Sequence, residues 1–213
     1  MMNHKCTHQM DFTKPCLHFD IHKPTLGRHY DIQDSERNIK AYTAEISVFS
    51  VGKPDLTLIQ GSSRNSSSMV AAAHFKKIGR TIRIGLENTD HAPEQVRWEE
   101  MKAGSAMKIC HVWALTLTDG SRRTFAWKKT SNYHADGARG GIFGTSYKLV
   151  DMTGGGGNVA VCTTSGTFTE HAKLQINQDL GPDFRVLVIM TFISLFEVLR
   201  RARAATRSAS GSS

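Results

Sequence analysis

The chain predicts a mainly β fold, an antiparallel barrel closed around a single apolar helix at the C-terminal end. Three observations predict it. Short runs of alternating apolar and polar residues recur along most of the chain, with turn signals between them. Helical periodicity is confined to one stretch, PDFRVLVIMTFISLFEVLRRARA, from Pro182 to Ala204. That stretch is apolar on every face, and a helix hydrophobic all round has to be surrounded by other groups.

The strands follow in order. IKAYTAEISVF (39–49) comes after the polar turn DSERN, and DLTLIQ (55–60) is closed by the loop GSSRNSSS. MVAAAHF (69–75) and TIRIGL (81–86) are separated by KKIGR. KICHVWALTLT (108–118) and RRTFAWKK (122–129) flank Asp119-Gly120, YKLVDM (147–152) and NVAVCTT (158–164) flank TGGGG, and HAKLQIN (171–177) comes last. Nine or more strands at this spacing suit one antiparallel sandwich or barrel. The Asp-Gly hairpin also predicts its own register. A two-residue turn would pair Val112 with Trp127 and mix apolar with polar side chains on both faces. A three-residue loop, Thr118 to Gly120 with Gly120 left-handed, puts Trp113, Leu115, Leu117, Phe125 and Trp127 on one face. Thr116, Thr118, Arg122, Thr124 and Lys128 then share the other. The second register separates core from solvent and is preferred.

The helix starts well at Gly181-Pro182-Asp183, with proline at the first helical position and an acid at the positive end of the dipole. Its uncharged run, Val186 to Phe196, is eleven residues long. A bilayer span needs roughly 20, so the group that surrounds this helix is expected to be protein. Strands closing around a central helix meet that need. The resulting organisation is an irregular, histidine-containing tail over 1–27, a barrel over 28–204 with its central helix at 182–204, and a disordered small-residue tail over 205–213. Trp98 is expected to anchor the core, with Glu99 and Glu100 at its edge.

This order of elements resembles the tubby C-terminal superfamily, which includes the phospholipid scramblases and the LURP-one-related proteins. The nearest resemblance is to small fungal tubby-like proteins of unknown function. The segments that carry it are YDIQDSERNIKAYTAEI, IRIGL, RTFAWKKT, KLVD with NVAVC, and DFRVLVIMTFISLFEVLRRAR, which together span about residues 28 to 204. The resemblance implies a closed barrel of about twelve strands threaded by the C-terminal helix. It also implies a non-enzymatic binding module that takes anionic phospholipid headgroups, such as phosphoinositides, through basic residues on the barrel. Scramblase chemistry is not implied, because the palmitoylated cysteine cluster is missing and Asn177, Asp179 and Asp183 lack the closing glutamate of a calcium loop.

Composition agrees with an anionic partner. The chain of 213 residues holds 27 Lys+Arg against 19 Asp+Glu, a net charge of +8. The best basic cluster is Arg122, Arg123, Lys128 and Lys129 on the hairpin. A second, Lys76, Lys77 and Arg80, lies at the turn before TIRIGL. Either suits a phosphorylated headgroup through charge-assisted hydrogen bonds. A protein partner is the nearest alternative, and a membrane-anchored protein with 182–199 inserted in lipid is another. The N-terminus MMNHKCTHQM has no apolar core, so a cytoplasmic protein, peripheral at the membrane, is expected.

Other chemistry finds little support. TGGGGN is followed by neither Lys-Ser/Thr nor a helix, so it reads as a hairpin loop. Cys6, His8, Cys16, His18 and His22 have metal-ligand chemistry but no compact zinc spacing. No nucleophile stands beside a base, and adjacent Cys110 and His111 point to opposite faces of a strand. RRTFAWKK interleaves basic and aromatic residues, but Phe125 and Trp127 face the core in the preferred register, so no nucleic-acid partner is expected. No cofactor, resident metal or transmembrane span is expected either.

Overall fold

The computed structural model of the protein describes residues 16–24, 27–47, 53–61, 69–76, 81–86, 96–104, 110–138, 144–164 and 171–210. Within them the chain forms β1 (Leu17–His22), β2 (His29–Asp34), β3 (Ile39–Ile46), β4 (Leu56–Gln60), β5 (Met69–Phe75) and β6 (Thr81–Leu86). Next come β7 (Arg97–Ala103), β8 (Cys110–Thr116), β9 (Arg122–Thr130), β10 (Ser146–Asp151), β11 (Asn158–Thr164), β12 (His171–Ile176) and the helix α1 (Pro182–Ser210). Every strand pairs antiparallel with its neighbours in sequence, and β1 pairs with β12 to close the barrel. Closure leaves no edge strand open, which removes the main aggregation hazard of a sheet. The expected fold, a closed antiparallel barrel of twelve strands with one apolar C-terminal helix, is the one the chain adopts.

Three local expectations need correction. Residues 17–22, read as part of an irregular tail, form β1, the strand that closes the barrel. The helix continues past Ala204 to Ser210, so most of the segment expected to be disordered is helical. Trp98 is not a core anchor: it is 37% exposed on the outer face of β7. There it lies over Gly85, its cross-strand partner on β6, where an added Cβ would stand 3.0 Å from the indole. His74 and Arg83 flank the ring at 5.4 Å and 5.0 Å. The buried, inward-register residues that follow it are Glu99 and Met101, so alternation along the strand turns Trp98 outward.

The helix fills the barrel. Its residues from Leu187 to Glu197 are buried without a break, which a helix achieves only when enclosed on all sides. They pack against the inward side chains of the strands in one continuous core. Phe184 meets Trp113 and Phe125 near one end, and Phe192 meets Trp127 further along. Each large apolar side chain so buried contributes roughly 1.5–3 kcal/mol before entropy is counted. The Trp127 indole also donates to Thr191 Oγ1 at 3.0 Å inside the core.

At the far end a buried carboxylate locks the helix along its axis. Glu197 is fully buried, yet all four lone-pair directions are used. Oε1 accepts from Arg200 at 2.8 Å and Arg201 at 2.9 Å. Oε2 accepts from Arg200 at 2.8 Å and from the Tyr30 hydroxyl, on β2, at 2.8 Å. Arg201 in turn pairs with Asp55 at 3.1 Å and stacks over Phe75. Burial pushes the Glu197 carboxyl up, but the hydrogen bonds from Arg200, Arg201 and Tyr30 outweigh it and hold the group below its ordinary value. Burial and the neighbouring Glu197 charge push the Tyr30 hydroxyl upward.

Two outcomes are expected. Leu195→Asp places an unpaired charge in the enclosed core and should abolish cooperative urea unfolding; a folded, soluble Leu195→Asp protein would contradict the enclosed helix. Glu197→Gln should cost about 2–3 kcal/mol at neutral pH, because Tyr30, Arg200 and Arg201 lose a buried charged acceptor. A lowered carboxyl stabilises the fold above its unfolded value and ceases to do so as pH falls through its folded value. The advantage of the wild type over Glu197→Gln should therefore shrink as urea unfolding is repeated below roughly pH 4.

Candidate functional site

The β8–β9 hairpin forms as its apolar pattern predicts. Trp113 pairs with Phe125 and Thr116 with Arg122, Leu117 N–H donates to Ser121 O at 2.8 Å, and Gly120 takes φ +80°. Trp113, Leu115, Phe125 and Trp127 are buried inside the barrel, so neither hairpin aromatic on β9 is available to stack on a base.

The same hairpin shows why basic residues cannot be read as free charges. Arg122 forms a two-pronged ion pair with Glu99, at 2.9 Å and 2.8 Å, and also donates to Thr116 Oγ1. The Glu99 carboxylate raises the guanidinium further above its ordinary value. Arg123 lies on the inward register at the barrel end and pairs with buried Asp151 at 3.1 Å. Asp151 also organises the glycine-rich turn: its Oδ1 accepts the amides of Thr153 and Gly154, both at 2.9 Å. A side chain at position 154 would collide with Asp151 Oδ2, which explains one glycine of TGGGG. Both arginines are therefore committed to carboxylates that the fold buries. Arg122→Glu should set two carboxylates against each other and destabilise the protein by about 2–4 kcal/mol in urea titration, whereas Lys128→Glu should leave stability within about 0.5 kcal/mol.

The second predicted cluster is not joined to the first. Lys76 follows β5 at the end of the barrel where Arg201 stacks on Phe75, while Arg122 starts β9 near the helix N-terminus. Its ammonium pairs with Glu100 at 2.7 Å, and Lys102 meets the other Glu100 oxygen at 3.2 Å. Those two lysines hold the Glu100 carboxyl below its ordinary value. Lys77 and Arg80 lie outside the described residues. Lys129 is exposed but on the opposite face of β9 from Lys128, in register with inward-facing Tyr147.

Lys128 stands apart from the rest. On the outer face it lies directly opposite Lys148 of β10. Among the described residues neither ammonium meets a carboxylate. Lys128 reaches the Met152 sulfur at 3.5 Å, and Lys148 sits over the Tyr133 ring at 4.6 Å. Met152 and Tyr133 are 51% and 43% exposed, unusual for side chains of their size. The segment that carries Tyr133 is pinned to the sheet, since His134 bonds Ser146 Oγ at 2.9 Å and Ala135 N–H donates to Thr163 Oγ1 at 2.9 Å. The four side chains form one strip, apolar at both ends and doubly positive in the middle. Like charges directly opposite on a sheet repel, so the strip lowers its energy when an anion sits between them.

Comparison of the chain with models of known protein families, with curated proteins and with solved structures finds no match. The resemblance to tubby-like barrels rests on the quoted segments and on the order of elements. Among the described residues no helix is long and apolar enough to cross a membrane. The reading with 182–199 inserted in lipid is overturned, because the side chains it would give to lipid are already buried among strands. Asp179 and Asp183, weighed as calcium ligands, pair with Arg185 and Arg97 instead. Among the described residues no three His, Cys, Asp or Glu side chains group so as to hold a metal ion. Lys148 escaped sequence reasoning. Alternation in YKLVD turns it outward, but its pairing with Lys128 depends on a register set across the long β9–β10 connection.

Proposed function

We propose that this protein is a tubby-like, non-enzymatic binding barrel that docks on anionic phospholipid headgroups at a membrane surface. The observation that carries the proposal is the Lys128–Lys148 pair: two lysines side by side with no described carboxylate, between exposed Tyr133 and Met152. A headgroup phosphate neutralises both ammonium groups, and the flanking apolar side chains suit the boundary between headgroups and acyl chains. The net charge of +8 favours approach to such a surface. The closed barrel with its enclosed C-terminal helix supports the tubby-like reading. In this proposal the binding residues are Lys128 and Lys148. Arg122 and Arg123 are held by buried carboxylates of the fold instead, and Lys76 is neutralised at the surface by Glu100.

Co-sedimentation of the protein with phosphatidylcholine liposomes, with and without phosphoinositide, tests it. Binding is expected to require the anionic lipid and to weaken at high salt, since screening acts on exposed charges. With about 1 kcal/mol per basic residue near an anionic surface, Lys128→Gln with Lys148→Gln should weaken binding about 30-fold and leave urea stability unchanged. Binding that the double variant leaves intact would move the site elsewhere. No binding by the folded wild type would leave a protein-interaction barrel as the better reading.

A further inference from the structure

We infer that His22 and His171 form an exchangeable binding site for a divalent transition-metal ion, of the zinc, nickel or copper class, across the seam that closes the barrel. The two histidines sit on β1 and β12 as direct cross-strand partners. Their rings stack with centroids 4.5 Å apart and planes 22° from parallel. An imidazole lone pair lies in the plane of its ring. Nearly parallel stacked rings therefore direct their lone pairs side by side rather than at each other. A cation beyond their shared edge meets both once each ring turns about χ1 and χ2 by some tens of degrees so that the lone pairs converge, a movement the groove beside them has room for. Imidazole nitrogen is the ligand these borderline ions prefer, at about 2.0–2.1 Å for zinc.

The surroundings set what kind of site this is. The pair lines a groove of about 410 Å³ together with Thr163, Ala138 and the Asp20–Lys173 pair. That volume has room for the water molecules that complete a coordination sphere. Among the described residues the nearest carboxylates are already committed. Asp20 pairs with Lys173 at 2.7 Å and accepts from Ser35 at 2.8 Å. Asp31, the register partner of His22 on β2, pairs with Lys40 at 2.8 Å and lies 3.7 Å from His29. Two protein ligands and water make a weaker site than a closed structural one, and an open one. The sequence motif that included His22 also named Cys6, His8, Cys16 and His18. His18, however, faces Glu36 and Asp136, and the partner of His22 comes from the far end of the chain.

A metal bridging β1 and β12 binds the folded state alone, because only folding brings the two histidines together. Zinc added to the full chain should therefore raise Tm by about 5–10 °C at a hundredfold excess over Kd. His22→Gln and His171→Gln should each abolish the rise. A rise that persists in both variants would place the metal on other residues and overturn the assignment. Independently of any variant, zinc should slow diethyl pyrocarbonate labelling of His22 and His171 in the wild type and leave His74 unaffected. No Tm rise together with unprotected His22 and His171 would also overturn it. Neither readout involves lipid, so this site stands or falls apart from the headgroup proposal.

Discussion

A helix that is apolar around its whole circumference cannot end at a surface, and the architecture follows from that constraint. From Leu187 to Glu197 every residue of α1 is buried, so each strand must present an inward row of side chains to some part of the helix. A sandwich would cover two sides and leave two wet. Only closure covers all of them, and closure requires the first strand to meet the last. The axial position of the helix then needs its own determinant, because an apolar cylinder in an apolar sleeve can slide. Two bonds that leave the helix supply it: the Tyr30 hydroxyl of β2 donates to buried Glu197, and Arg201, itself bonded to Glu197, reaches Asp55 ahead of β4.

The same logic sorts the positive charges. A guanidinium beside a buried carboxylate cannot leave without stranding that carboxylate in a low dielectric. Arg122 on Glu99 and Arg123 on Asp151 are of this kind, and their worth lies in the fold. A lysine pair with no counter-charge among the described residues gains nothing from staying as it is. Lys128 and Lys148 are of this second kind, held close by backbone pairing despite their repulsion. The distinction rests on which carboxylates the fold buries, a property that neither net charge nor clustering along the chain reveals.

What the sequence determined by itself is the part governed by local periodicity. Alternation identified most strands, the apolar run marked the helix, and the hairpin register followed from asking which pairing puts Phe125 and Trp127 on the same side as Trp113 and Leu115. The shortness of the run, eleven uncharged residues, favoured protein over lipid around it. Tertiary structure decided whatever depends on a partner far away in sequence. LHFDIH is too short and too polar on one face to declare itself a strand until β12 lies beside it. RWEEMKA turns Glu99 toward the inner register and Trp98 out, the reverse of what hydrophobicity suggests, because Arg122 neutralises the one and Gly85 makes room for the other. The Lys128–Lys148 and His22–His171 pairs are invisible in sequence for the same reason. Side-chain chemistry is written residue by residue, but which groups meet across a sheet is set by register, and register between distant strands is fixed only when the barrel closes.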